Sequence, residues 1–490
     1  MSKKINLGES LVVLGSGLNG TFISERLIKT DKKVVMIDFG LDNNSELLNS
    51  YDFNNSPNLS FSPKYKIKEK AFSFAGFNKL MKIKTKNFFS IGSLAKGGLS
   101  NIWGGGLEMI EQEDFSNFPY SIEEIMPFFE KVIKRITGQD FNQIIDPEET
   151  KVKEILDKNR FRELKNKVDP DNGFREIIPL IAINFSKNLS NLKNFKKNNG
   201  IFNAKDSLND LIKLDNFEYL ESNFIETIIK KEDCYEIHTN DLKNKEKRIY
   251  EAKYIFSCLG PLATTKIVAE MENFSGKLKL LNTPSFKLFG ITRNSDSENK
   301  IFFGLPFFNF SIKNENKNFS GAIFKLNSQV LSLFLMLKFL PKFLKNILDK
   351  YIFKFFFVGN FYFSSNFSDN TISIKNEDYF IEGKKFKRNE KPITKVLSIL
   401  KNSLRSKGFY VIKLKSSIPG SDVHYGGTIP ISQEPKSMQC DLNGCLKNHK
   451  NFYITDSSSL NFLPGKGHTA LSLSQSLMIV ERFIERDLAD

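Results

Sequence analysis

One stretch near the N-terminus narrows the folds open to this chain. Leu11-Val12-Val13-Leu14 reads as a buried strand and runs straight into Gly15-Ser16-Gly17-Leu18-Asn19-Gly20. A helical run follows, with Phe22, Ile23 and Leu27 on one face. A second apolar strand, Val34–Ile37, then ends at Asp38. The β-α-β order opens a parallel sheet. The spacing is GxGxxG, with the acid 23 residues after Gly15. Each part has a physical task. Gly15, Gly17 and Gly20 allow a tight turn and let a pyrophosphate approach the backbone. The helix N-terminus offers N–H donors and a positive dipole, and Asp38 can accept from ribose hydroxyls. The motif predicts dinucleotide binding without separating FAD from NAD.

The whole chain is too long for one ordinary domain. Its 490 residues predict two intergrown domains. Hydrophobic content of 40% and charged content of 26% exclude global disorder. The net charge of +15 reads as scattered lysines solvating the surface, and no nucleic-acid partner is expected. Cys234, Cys258, Cys440 and Cys445 form no CxxC pair, so neither a disulfide framework nor a metal site is expected. No signal peptide and no spanning helix are read, which makes the cytoplasm the expected compartment.

Further elements are legible. Residues 121–136 have helical periodicity, with Ser121 and Glu124 as a capping box. Residues 187–200 read as a surface loop. Strands are expected at 217–229, 234–239, 254–260 and 452–456, and a long helix at 468–486. Residues 330–357 read as an amphipathic helix kinked at Pro341, with Lys338, Lys342, Lys345 and Asp349 on one face. Two readings stay open for it: an outer helix covering the core, or a peripheral contact with an anionic membrane.

Four blocks resemble the glucose–methanol–choline (GMC) oxidoreductases, a family of FAD-dependent alcohol oxidases and dehydrogenases. The first is the nucleotide motif with Val34–Gly40. The second, Gly97-Gly98-Leu99-Ser100-Asn101-Ile102-Trp103, is similar to the family segment beside the flavin. Its Trp103 form resembles the pyranose-oxidase and sugar- or polyol-dehydrogenase branch. Ile102 stands where pyranose oxidases carry the His that attaches flavin, so the resemblance implies non-covalent FAD. The third block, 223–228 with 256–268, implies that the Ile225 backbone meets adenine and that Gly260 approaches the cofactor. The fourth, 422–432 with 440–482, places Asp456 near the flavin and His424 and His468 on the family's catalytic pair.

The resemblance implies an α/β fold. A Rossmann-like FAD domain, discontinuous in sequence (1–110, 205–275 and 420–490), would join an α+β substrate domain (111–204 and 276–419) built on an antiparallel sheet. The implied reaction is oxidation of an alcohol, of a sugar or polyol by the Trp103 subtype, with hydride passing to flavin N5. His424 would be the general base and His468 its partner on the substrate oxygen. Oxidation of a lipid or lipid-linked alcohol and a flavin scaffold without turnover are the alternatives. The electron acceptor is open among oxygen, a quinone and a protein. His238 and His449 read as structural, and Cys258 as core packing.

Overall fold

The computed structural model describes residues 3–42, 72–74, 76–141, 173–177, 180–183, 201–293, 308–315, 317–326, 340–375, 378–384, 386 and 391–488. The chain begins with β1 (Lys3–Asn6), β2 (Leu11–Leu14), α1 (Leu18–Leu27), β3 (Val34–Ile37) and β4 (Ile83–Lys86). Next come α2 (Ile122–Thr137), β5 (Phe174–Ile177), α3 (Ala204–Leu211), β6 (Phe217–Leu220), β7 (Asn223–Lys230), β8 (Tyr235–Asp241), β9 (Glu246–Ala252), β10 (Tyr254–Ser257) and α4 (Pro261–Met271). The middle holds β11 (Gly276–Asn282), β12 (Ser285–Thr292), β13 (Phe308–Asn314), β14 (Lys317–Lys325), α5 (Lys342–Tyr351), β15 (Phe356–Tyr362), β16 (Asn370–Lys375), β17 (Asp378–Glu382), α6 (Lys391–Ser406) and β18 (Phe409–Ser416). It closes with β19 (Tyr425–Gly426), β20 (Phe452–Ile454) and α7 (Thr469–Asp487).

A five-stranded parallel sheet, ordered β20-β10-β2-β3-β6, forms the base of the molecule. Its inner strands β2 and β3 are unbroken apolar runs, buried throughout, because helices and further layers cover both faces. Leu11 to Leu14 and Ile255 to Phe256 are fully buried. The stretch read as one strand at 217–229 is two. Ser222 takes a left-handed turn (φ 65), and the chain leaves the parallel sheet at Leu220 to enter a second sheet, ordered β1-β9-β8-β7. Strong local β propensity hid this break, since both halves are strand-forming.

Two antiparallel-rich sheets complete the fold, ordered β19-β11-β16-β17-β4 and β18-β12-β15-β14-β13-β5. The second packs Phe286, Leu288, Phe310, Phe357 and Phe361 against Ile393, Val396, Leu400 and Leu404 of α6. Its other face is free of that core. The fold is therefore α/β: a Rossmann-like parallel sheet assembled from distant stretches, joined to a mixed domain built on antiparallel sheet.

The capping box at Ser121 and Glu124 forms, and α2 ends at Gly138 in the left-handed region. Residues 187–200 lie outside the described residues. The kinked helix at 330–357 is corrected. Pro341 caps the start of α5 rather than bending a longer helix, and residues 327–339 lie outside the described residues. Proline lacks the N–H that a helix interior needs, but loses nothing at a helix start. After Tyr351 the aromatic-rich run turns into a short 3-10 segment, Phe353–Phe355, and then β15. No helix among the described residues is long and apolar enough to cross a membrane.

Candidate active site

The nucleotide turn sits between β2 and α1. Gly15 is left-handed (φ 95), and a Cβ there would lie 2.7 Å from the Cys258 carbonyl oxygen. A Cβ on Gly20 would lie 2.0 Å from the Gly15 carbonyl oxygen, so this glycine lets the helix close on the turn. Gly17 differs: a Cβ would meet nothing within 4 Å. Gly17 also caps α1 without a side-chain acceptor, so no capping side chain takes up the first-turn N–H groups. Asp38 is buried at the end of β3. It accepts from Ser16 Oγ (2.5 Å) and from the Tyr219 hydroxyl (3.0 Å), and burial pushes its carboxyl up. The carboxylate thus braces the turn that it was expected to serve.

The second glycine block docks onto this turn. Gly97 and Gly98 are both left-handed (φ 82 and 58), and a Cβ on Gly98 would lie 3.0 Å from Gly17 Cα. The Gly97 N–H donates to Ser16 Oγ (3.0 Å). Ser100 Oγ meets the Gly97 carbonyl (2.5 Å), and Asn101 donates to the carbonyls of Lys96 and Gly98. Asn203 holds both, accepting from Ser100 Oγ (3.0 Å) and donating to Asn101 Oδ1 (3.2 Å). Asn203 was missed because it borders a low-complexity stretch. Trp103 donates to the Phe202 carbonyl (2.8 Å), a positioning contact.

Gly260 (φ 84) caps α4 ahead of Pro261, and its N–H donates to Asp456 (2.9 Å). Asp456 also accepts from Thr264 Oγ1 (2.5 Å) and from Ser458, tying β20 to the α4 turn. Open space lies beside Gly260 and Gly104, as it does beside Gly17. Ile225 is buried in β7, next to a register shift that interrupts its pairing with β8.

His424 and His468 converge from opposite parts of the fold. Their ring centroids lie 5.5 Å apart with planes at 89°. His424 directly precedes β19. Its carbonyl accepts from the Thr283 N–H (3.1 Å) and the Asn282 amide (2.7 Å). The preceding Val423 is β-branched yet left-handed (φ 60), a strained conformation that the surroundings hold. His468 caps the start of α7 and is 8% exposed. Its Nδ1 is buried without a hydrogen-bond partner. Burial and repulsion from His424 lower its pKa to about 3, so the ring is neutral near pH 7.

Charged groups frame the pair. Burial pushes the Asp422 carboxyl up, but the Lys287 ammonium, the His424 ring as a cation, and hydrogen bonds from Lys287 and Ser285 outweigh it. Asp422 is held below the ordinary carboxylate range, an anion two residues from His424. Tyr362 lies over His424, with ring centroids 5.3 Å apart. On the far side Lys466 is buried against Asp114 (2.9 Å), Glu111 (3.1 Å) and the Met109 carbonyl (2.8 Å). A Cβ on Gly467 would lie 3.4 Å from Glu108 Cγ, which places that side chain beside the residue before His468. Burial, opposed by Lys466, pushes the Glu108 carboxyl up. Asp422 opens the 422–432 block, where the resemblance gives it no role, and nothing local in the sequence marks Lys287, Tyr362 or Glu108. His238 and His449 lie elsewhere, the latter buried against Glu272.

The architecture is that of a two-domain α/β protein in which a dinucleotide-type sheet meets an antiparallel sheet at a histidine pair. The crystal structure of pyridoxine 4-oxidase from Mesorbium loti is similar in fold, with a TM-score of 0.61 at 10% sequence identity, covering 98% of this chain and 100% of that one. At that identity the likeness is one of fold. No protein-family profile matches the chain, and no curated protein matches it by sequence.

Proposed function

We propose that the protein is an FAD-dependent oxidoreductase of the GMC type that oxidises an alcohol to a carbonyl. The carrying observation is the perpendicular pair His424 and His468 at the N-terminus of α7, the helix that Asn19 of the nucleotide turn grips through Ser472 (3.0 Å) and Ser476 (2.8 Å). The fold shared with an enzyme named as an oxidase supports the same reading.

The residues fit a bound FAD. A Cβ on Gly98 would crowd Gly17 Cα, while space opens beside Gly17, Gly104 and Gly260. Gly15, Gly17 and Gly20 would take the pyrophosphate, and Asp38 the ribose. Gly97, Gly98, Ser100, Asn101, Gly260 and Asp456 would shape the remaining slot, and the Ile225 backbone would face adenine. Ile102 offers no atom for a covalent link. When bound, the flavin supplies a two-electron acceptor.

The chain's own residues would manage the proton. His424 takes the substrate hydroxyl proton, and the nearby Asp422 anion stabilises the resulting imidazolium. His468 stays neutral and can donate a hydrogen bond to the developing alkoxide. The α7 N-terminal dipole favours the same charge. The sugar or polyol expectation rests on Trp103, whose indole is committed to Phe202. The exposed face of α5, with Phe343, Ile347 and Tyr351, is the segment proposed to touch an anionic membrane. Flotation with anionic vesicles at low salt, lost in Phe343→Asp, tests that contact.

The deciding experiment is an anaerobic visible spectrum with a panel of alcohols. Bleached flavin bands are expected, slowed at least about a hundredfold in His424→Ala. Flavin reduction at the wild-type rate in both His424→Ala and His468→Ala would remove the assignment.

A further inference from the structure

The face of the six-stranded sheet opposite α6 changes character along its length. Register pairs Tyr362 of β15 with Ser285 of β12 and Ser320 of β14. One step outward it pairs Asn360 with Lys287 and with Ala322, which in turn pairs Asn309 of β13. Apart from Ala322 these rows are polar, and they touch the site: Tyr362 lies over His424, Lys287 binds Asp422, and Ser320 Oγ donates to the Gly465 carbonyl (2.5 Å). Asn309 is 7% exposed, and its Oδ1 has no hydrogen-bond partner, an unmet acceptor on this face.

The next rows are apolar. Val358 pairs with Phe289 and Phe324, and the last row pairs Phe356 with Ile291. Side chains two residues apart on a strand point the same way at about 6.7 Å spacing, so Tyr362 to Phe356 spans roughly 20 Å. Phe289 is 36% and Ile291 40% exposed, and Phe289 stacks on Phe356 with centroids 5.8 Å apart. Lys413 and Lys415 border this strip on the edge strand β18. The strip ends where Phe353–Phe355 joins the sheet to α5.

We infer that this strip binds the hydrocarbon tail of the substrate, which is an amphiphilic alcohol with its hydroxyl at His424 and His468 and an alkyl or prenyl chain along Val358, Phe289, Phe324 and Phe356. The inference rests on the oxidoreductase reading and names its substrate class. Continuity carries it: β15 keeps one register with β12 and with β14 from the reactive pair to the exposed apolar side chains, and the shift beside Phe289 is confined to the pairing with the edge strand β18. A small sugar or polyol would leave those side chains without a role.

The test compares butanol, octanol and dodecanol with glycerol and glucose by anaerobic flavin bleaching. It adds equilibrium dialysis of radiolabelled dodecanol against the flavin-loaded protein. The apparent kcat/KM is expected to rise roughly two- to fourfold for each methylene beyond octanol that reaches the apolar rows. The dodecanol-to-butanol ratio should fall at least about tenfold in Phe289→Ser, and by less in Val358→Thr, which keeps shape and strand propensity. Glucose or glycerol bleaching the flavin as well as dodecanol overturns the tail site while alcohol oxidation stands. Dodecanol retained in a Phe289-dependent way without bleaching supports the tail site while alcohol oxidation falls. Neither bleaching nor retention overturns both.

Discussion

Protonation of His468 supplies a measurable handle on the site. In an unfolded chain its imidazole titrates near 6.5, whereas the folded protein lowers that to about 3. A base with a depressed folded pKa adds no penalty while both states are neutral, above about pH 6.5. As pH falls, the unfolded chain takes up the proton and the folded chain does not. Each pH unit then costs about 1.4 kcal/mol of stability, reaching about 2 kcal/mol near pH 5. Other groups titrate in the same window, so the informative quantity is a difference. Urea unfolding of wild type and of His468→Gln should give profiles that diverge below about pH 6.5. The variant should lose about 2 kcal/mol less than wild type on passing to about pH 5. Parallel profiles would mean that water or a counter-charge reaches the ring. The account of His468 as a neutral hydrogen-bonding partner would then be wrong.

Asp422→Asn should remove the anion that favours protonated His424. With less support for the cation, the acidic limb of the kcat/KM profile should move to lower pH, while an unmoved limb would separate the two groups. The glycines of the nucleotide turn should divide by role. Gly17→Ala meets open space, so it should cost no more than about 1 kcal/mol of stability yet weaken flavin retention, read by ultrafiltration of the yellow protein. Gly20→Ala drives a methyl into the Gly15 carbonyl and should destabilise by about 3 kcal/mol, read as a lowered thermal midpoint.

What could be read from the sequence follows from the range of the forces involved. The strand, turn and helix at 11–27 and the Ser121–Glu124 box are local devices, and each forms where its spacing predicts. The histidine pair was legible only because two separate motifs pointed to it. Its surroundings were not legible. Asp422 meets Lys287, Lys466 meets Asp114 and Glu111, and Asn203 holds Ser100, all across more than a hundred residues of chain. Such contacts have no periodicity and no spacing rule, and a buried lysine looks in sequence like the many that solvate the surface. Residues 217–229 and 330–357 misled for the opposite reason. Their local propensities were real, but Ser222 breaks the first run with a single left-handed residue, and Pro341 starts a helix where a kink was expected. The sheet face from Tyr362 to Phe356 belongs to the same class. Its gradient exists only once β12, β14 and β15 are in register, because Phe289, Phe324, Val358 and Phe356 are scattered along the chain and share nothing there but hydrophobicity. In a chain this rich in Phe, composition gives no means of telling a core phenylalanine from one that faces substrate. Strand register does, since it puts Phe357 and Phe361 against α6 and Phe356 on the opposite side.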